Sequence, residues 1–192
     1  MDRKLEQDDN RGLQQGVKDN KKTPNLFRIL LERKTDTTQK VNTSPTGYPS
    51  LLSNAVSYTL NHPIITLATN DLNQDLDIVT EFLPFPNQLS CDIQLLNLRF
   101  IHDMKEGGSI PGEGALLLLH RHGFDCKYPA TGLSCSTNQG KVSLGEMFHE
   151  DIITVKETTS TSLTMMHDKE TIDTSVSQYI EPMEIKAFRM TF

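Results

Sequence analysis

The side chains with the most chemistry to offer are His120-Arg121-His122, where two imidazoles stand at alternate positions. Alternate residues of a strand share a face, so this triplet could begin a metal site. Zinc, however, needs three or four converging ligands, and no HExxH or CxxC pair accompanies the histidines. Polar residues closing a strand are the plainer reading. Asp8 and Asp9 are carboxylates of the kind that acid–base chemistry uses, but adjacent side chains of an extended chain point to opposite faces. A retaining glycosidase holds its two carboxyl groups about 5–5.5 Å apart across one sugar, which this pair does not easily do. Gly107-Gly108-Ser109-Ile110-Pro111-Gly112 lacks the Lys-Ser/Thr helix start of a phosphate loop, and no G-x-S-x-G elbow occurs. The residues alone present no complete active site.

Cys126 and Cys135 bracket the turn-forming stretch Lys127-Tyr128-Pro129-Ala130-Thr131-Gly132. Their spacing suits a disulfide closing a surface loop, which would contribute roughly 2.5 kcal/mol and imply an oxidising compartment. It suits two buried thiols equally well. Cys91 has no evident partner. Asn42-Thr43-Ser44 is an N-x-S/T tripeptide, with Pro45 directly after it counting against glycosylation.

The elements that would position these groups read as β. Cys91 to Ile101 alternates apolar and polar residues, with a phase slip at Leu95-Leu96 that predicts a bulge or a change of sheet. Gly107 to Gly114 reads as a turn region, and Ala115 to His122 as an apolar strand covered on both faces. Further strands are predicted at Asn25–Arg33, Ile64–Leu67, Ile78–Phe82, Asp151–Lys156, Ser162–Met166 and Met183–Phe192. Leu52, Val56 and Leu60 recur every four residues, giving a short helix within Ser50–Leu60 that Pro63 stops. Residues 36–49 and Asn70–Asp77 read as loops. Short strands, Pro/Gly/Asn/Asp punctuation and no repeated βα unit predict an all-β fold, an antiparallel β-sandwich with one or two short helices.

At 192 residues the chain is expected to form one domain, 1–192. With 19 Lys and Arg against 25 Asp and Glu, the net charge of -6 gives no electrostatic footprint for nucleic acid or an anionic membrane. The longest apolar run, Ala115–Leu119, is far short of the ~20 residues of a membrane span. The charged opening Met1-Asp2-Arg3-Lys4 is not that of a secretory signal.

Gln7-Asp8-Asp9-Asn10-Arg11-Gly12-Leu13-Gln14-Gln15-Gly16-Val17-Lys18-Asp19-Asn20 reads by itself as a tight polar loop. Followed by Asn25-Leu26-Phe27-Arg28-Ile29-Leu30-Leu31-Glu32-Arg33-Lys34, it resembles the C-terminal region of the Golgi α-mannosidase II family, in glycoside hydrolase family 38. Tyr48-Pro49-Ser50-Leu51-Leu52-Ser53, Cys91-Asp92-Ile93, Leu96-Asn97-Leu98-Arg99, Leu117-Leu118-Leu119-His120-Arg121, Gly123-Phe124-Asp125-Cys126 and Glu181-Pro182-Met183-Glu184-Ile185 extend the resemblance over nearly the whole chain. It implies a C-terminal β-domain packed against an N-terminal catalytic domain and a helical middle domain. In the family, zinc, the nucleophile and the acid/base belong to the N-terminal part, so this chain itself would hold no cofactor. Residues 1–23 become a pocket-side loop in which Arg11, with Asp8, Asp9 and Asn10, lines the mannose pocket and positions substrate hydroxyls. The implied activity is zinc-dependent retaining removal of α1,3- and α1,6-linked mannose from N-glycans in the Golgi lumen, by an intact enzyme of which this chain is expected to be a truncated portion. The luminal setting favours the Cys126–Cys135 disulfide. The alternative is a stand-alone, non-catalytic β-sandwich that binds carbohydrate or a protein partner.

Overall fold

The computed structural model describes residues 3–5, 17–19, 22, 24–35, 47–66, 83–102, 110–129 and 132–192. Its centre is a five-stranded antiparallel sheet built from β3 (Ile93–His102), β4 (Pro111–Arg121), β6 (Glu157–Thr161), β7 (Asp168–Thr171) and β9 (Ile185–Thr191), in the order β3-β4-β9-β6-β7. Two two-stranded pairs accompany it: β1 (Arg3–Leu5) with β2 (Val17–Asp19), and β5 (Lys141–Val142) with β8 (Gln178–Tyr179). The predicted antiparallel, sandwich-like all-β class holds.

Alternation along β4 and β9 builds the core. Leu117 pairs with Phe188 and Ala115 with Met190, so their side chains stand on one face of the sheet. The side chains of that face pack with Val142, Leu144, Met147, Phe148 and Ile180, contributed by β5 and the segments following β5 and β8. Leu116, one position out of phase, is only 2% exposed as well, so β4 is covered on both faces as predicted. The phase slip in β3 is a bulge. Leu95 pairs with Leu119 but Asn97 with Leu118, which leaves Leu96 as the extra residue and lets Ile93, Leu95 and Leu98 all join the core.

The predicted helix is α1 (Leu51–Asn61). Ser50 caps it, its hydroxyl accepting from Ser53 N at 3.0 Å and donating to the Glu32 carboxylate.

Several predicted strands do not form. Asn25–Arg33 and Ile64–Thr66 carry apolar residues, but their backbone is irregular and joins none of the sheets formed among the described residues. The strand predicted at Asp151–Lys156 is displaced onto the threonine-rich β6, because Ile152 and Ile153 both bond back to His149 O in a turn. Ser162–Met166 is the β6–β7 turn, closed by Ser162 N to His167 O at 2.9 Å, with Met165 at φ 59°. The final strand starts at Ile185 rather than Met183, whose φ of 66° belongs to the turn Glu181–Glu184. Gly112 and Gly114 lie inside β4 and not in a turn. Part of the polar loop predicted over residues 1–23 is the β1–β2 pair. Ile78–Phe82, Asn70–Asp77, Asn42 and most of the 36–49 loop lie outside the described residues.

Candidate functional site

In the sequence, the residues assigned to the sugar pocket fall between β1 and β2. Arg3 pairs with Asp19, Lys4 with Lys18 and Leu5 with Val17. Asp8, Asp9, Asn10 and Arg11 themselves lie outside the described residues.

The best-built polar cluster gathers where β3 begins and β4 ends. Arg121 Nε donates to Asp92 Oδ2 at 3.0 Å, with the two side chains 14% and 4% exposed. Its Nη1 donates to Ile180 O at 2.9 Å and to the Tyr179 hydroxyl at 3.3 Å, and the guanidinium lies 5.6 Å from the Tyr179 ring centre. One planar cation therefore ties three chain segments together, a task suited to the fork of an arginine. Gly140 makes room for it: at φ 81°, a Cβ there would meet Ile180 O at 2.3 Å and Arg121 Nη1 at 2.5 Å. The sequence offers no signal for this clamp beyond a charge inside the His-Arg-His triplet.

His120 and His122 do share a face, with ring centres 4.5 Å apart. Gln94, which pairs with His120 in the ladder, holds His122 Nε2 through its side-chain oxygen at 2.8 Å. Burial holds both imidazoles below their ordinary 6.5, and for His122 the neighbouring His120 adds to the effect while Asp92 opposes it. Both are therefore neutral near pH 7. Among the described residues no group of three or more His, Cys, Asp or Glu converges to hold a metal.

The predicted Cys126–Cys135 disulfide is corrected. Cys135 pairs with Cys91, 44 residues away, with Cα atoms 5.6 Å apart. Cys126 is exposed and free. It sits in a turn held by Asp125, whose carbonyl accepts from Tyr128 N at 3.4 Å and whose Oδ1 accepts from Lys127 N at 3.0 Å. Cys91, by contrast, lies alongside the 135 segment, its N–H donating to Ser136 O at 3.2 Å. Short sequence spacing pointed to the wrong partner because the sheet brings a distant cysteine closer.

Beside His122 a groove of about 860 Å³ opens between α1, residues 83–90 and the start of β3. No family model matches the chain. Sequence comparison does find relatives: human α-mannosidase 2 is 44% identical over 192 residues, covering 99% of this chain. This is an α-mannosidase 2-related domain. The α-mannosidase 2x of Mus musculus is 41% identical over 195 residues and the α-mannosidase 2 of Arabidopsis thaliana 26% identical over 212 residues. The chain spans only 16% of the length of the human protein and 18% of the Arabidopsis one. Within this mannosidase-related domain, the strings Cys91-Asp92-Ile93, Leu117 to Arg121 and Glu181 to Ile185 that carry the resemblance meet at the Asp92–Arg121 cluster. There Arg121 N donates to Glu184 O at 3.0 Å and Met183 N to Arg121 O at 2.7 Å.

Proposed function

We propose that this chain works as the C-terminal portion of an α-mannosidase that trims α1,3- and α1,6-linked mannose from N-glycans in the Golgi lumen. The supporting observation is the 44% identity to human α-mannosidase 2 along 99% of the chain. In this reading the five-stranded sheet is a support packed against catalytic and helical domains supplied by the rest of the enzyme, which also carries the zinc and the nucleophile. The segment of sequence between β1 and β2 then supplies part of the mannose pocket wall. Arg11 positions substrate hydroxyls by donating hydrogen bonds from a charge that never titrates, with Asp8, Asp9 and Asn10 beside it.

The test is Arg11→Ala in the full-length mannosidase, assayed on an aryl α-mannoside and on a mannose-terminated N-glycan. A lost positioning contact lowers kcat/KM by about tenfold to a thousandfold while the unfolding midpoint stays put. Unchanged kinetics with an intact fold would remove Arg11 from the pocket.

A further inference from the structure

The groove beside His122 has a lining unlike the rest of the surface. Charged residues make up 23% of the chain, yet among the described residues no Asp, Glu, Lys or Arg lines this groove. Its polar members among the described residues are the amides Asn54, Asn87, Gln88 and Gln94, the Ser90 hydroxyl and the imidazole of His122, and Tyr58 and Phe85 supply rings. Tyr58 is 47% exposed and rests against the His62 ring at 4.8 Å, while Phe85 is braced by Phe148 at 5.3 Å. The Gln94 oxygen is taken by His122, but the amide nitrogen of Gln94 and the side chains of Asn54 and Gln88 have no hydrogen-bond partner among the described residues.

This chemistry selects a ligand class. Among the described residues, no side chain of the lining would balance the charge of a phosphate, a carboxylate-rich peptide or a cation. A sugar brings neutral hydroxyls that both donate and accept, as amides do, and C–H faces that pack on aromatic rings. We propose that the groove between α1 and the start of β3 is a glycan-binding site that takes an uncharged mannose oligosaccharide. The choice of mannose rests on the mannosidase reading, whereas the neutral hydroxylated class rests on the lining. Open rims and few ring contacts make the site a weak one, suited to holding an arm of a branched glycan.

The probe is α1,3/α1,6-linked mannotriose, titrated into the 192-residue chain by calorimetry or NMR. The expected dissociation constant is on the order of 1 mM. Tyr58→Ala and Gln88→Lys, both at the exposed rim, should each weaken binding about tenfold with unchanged melting, and mannose 6-phosphate should bind no tighter than mannose. The site is overturned if the folded chain shows no saturable mannotriose binding, if both variants bind as the unsubstituted chain does, or if the phosphorylated sugar is preferred. Each of these results leaves the mannosidase reading standing, since that is judged by turnover of the full-length Arg11→Ala enzyme.

Discussion

The sheet and the arm that precedes it use the same apolar residue types to opposite ends. In β4 and β9, Leu117, Leu119, Phe188 and Met190 are almost wholly buried, because neighbouring strands satisfy their backbones and a second layer covers their side chains. In residues 24–35 and 63–66, Leu26, Phe27, Ile29, Leu31, Ile64 and Ile65 are exposed, Leu31 to 95%. Their backbone is irregular, anchored at Glu32 to Ser50 and at Thr35 to Lys127 O. An apolar stretch becomes a strand only when a partner offers a hydrogen-bonded edge, so the arm is what such a sequence looks like without one. In the proposed enzyme that cover comes from other domains.

The contrast is sharpest in substitutions. Phe188→Ala, at 1% exposure, should cost about 3–5 kcal/mol in a urea or thermal melt, a large part of a domain's stability. Replacing Cys91 by Ser opens the bond that spans 44 residues, and the loop-closure estimate puts the loss at about 4 kcal/mol. Cys126→Ser should leave the midpoint where it is, and a large drop there would restore the pairing that spacing suggested. Arg121→Ala strands the Asp92 carboxylate in the interior and should cost about 3 kcal/mol, with Arg121→Lys recovering part of it.

A smaller effect follows pH. Because His120 and His122 are held below 6.5 in the fold, the unfolded chain binds their protons first as pH falls. Their contribution is thus complete well above 6.5 and is lost as pH falls through and below it, so the urea midpoint should drop as the pH is lowered past 6.5. The double variant His120→Gln, His122→Gln should flatten that drop. The smallest effect belongs to the arm, where Leu31→Ala should move stability by no more than about 0.5 kcal/mol. A cost like that of Phe188→Ala would show that the arm is packed after all.

The same contrast explains what could be read in advance. The β3 bulge at Leu95-Leu96, the covered strand at Ala115, the Ser50-capped helix and the mannosidase resemblance were legible because each is written in local pattern or in ordered strings. Whether Leu26 to Leu31 would pair was not, since that depends on a neighbour and not on the segment. The threonines of β6 displaced the more apolar Ile152-Ile153 from the sheet for a related reason: those isoleucines are spent in a turn at His149. Arg121, Asp92, Gly140 and Cys91 act through contacts 29 to 59 residues apart in sequence or across separate segments, and no spacing rule reaches that far.

If this chain is a supporting part of a mannosidase whose chemistry is supplied elsewhere in the enzyme, a turnover assay should show it. The purified 192-residue chain is incubated with an aryl α-mannoside and zinc, beside a full-length α-mannosidase. The chain should release no aryl alcohol above buffer, and the full enzyme should release it steadily. Zinc-dependent release by the chain alone would contradict that supporting role.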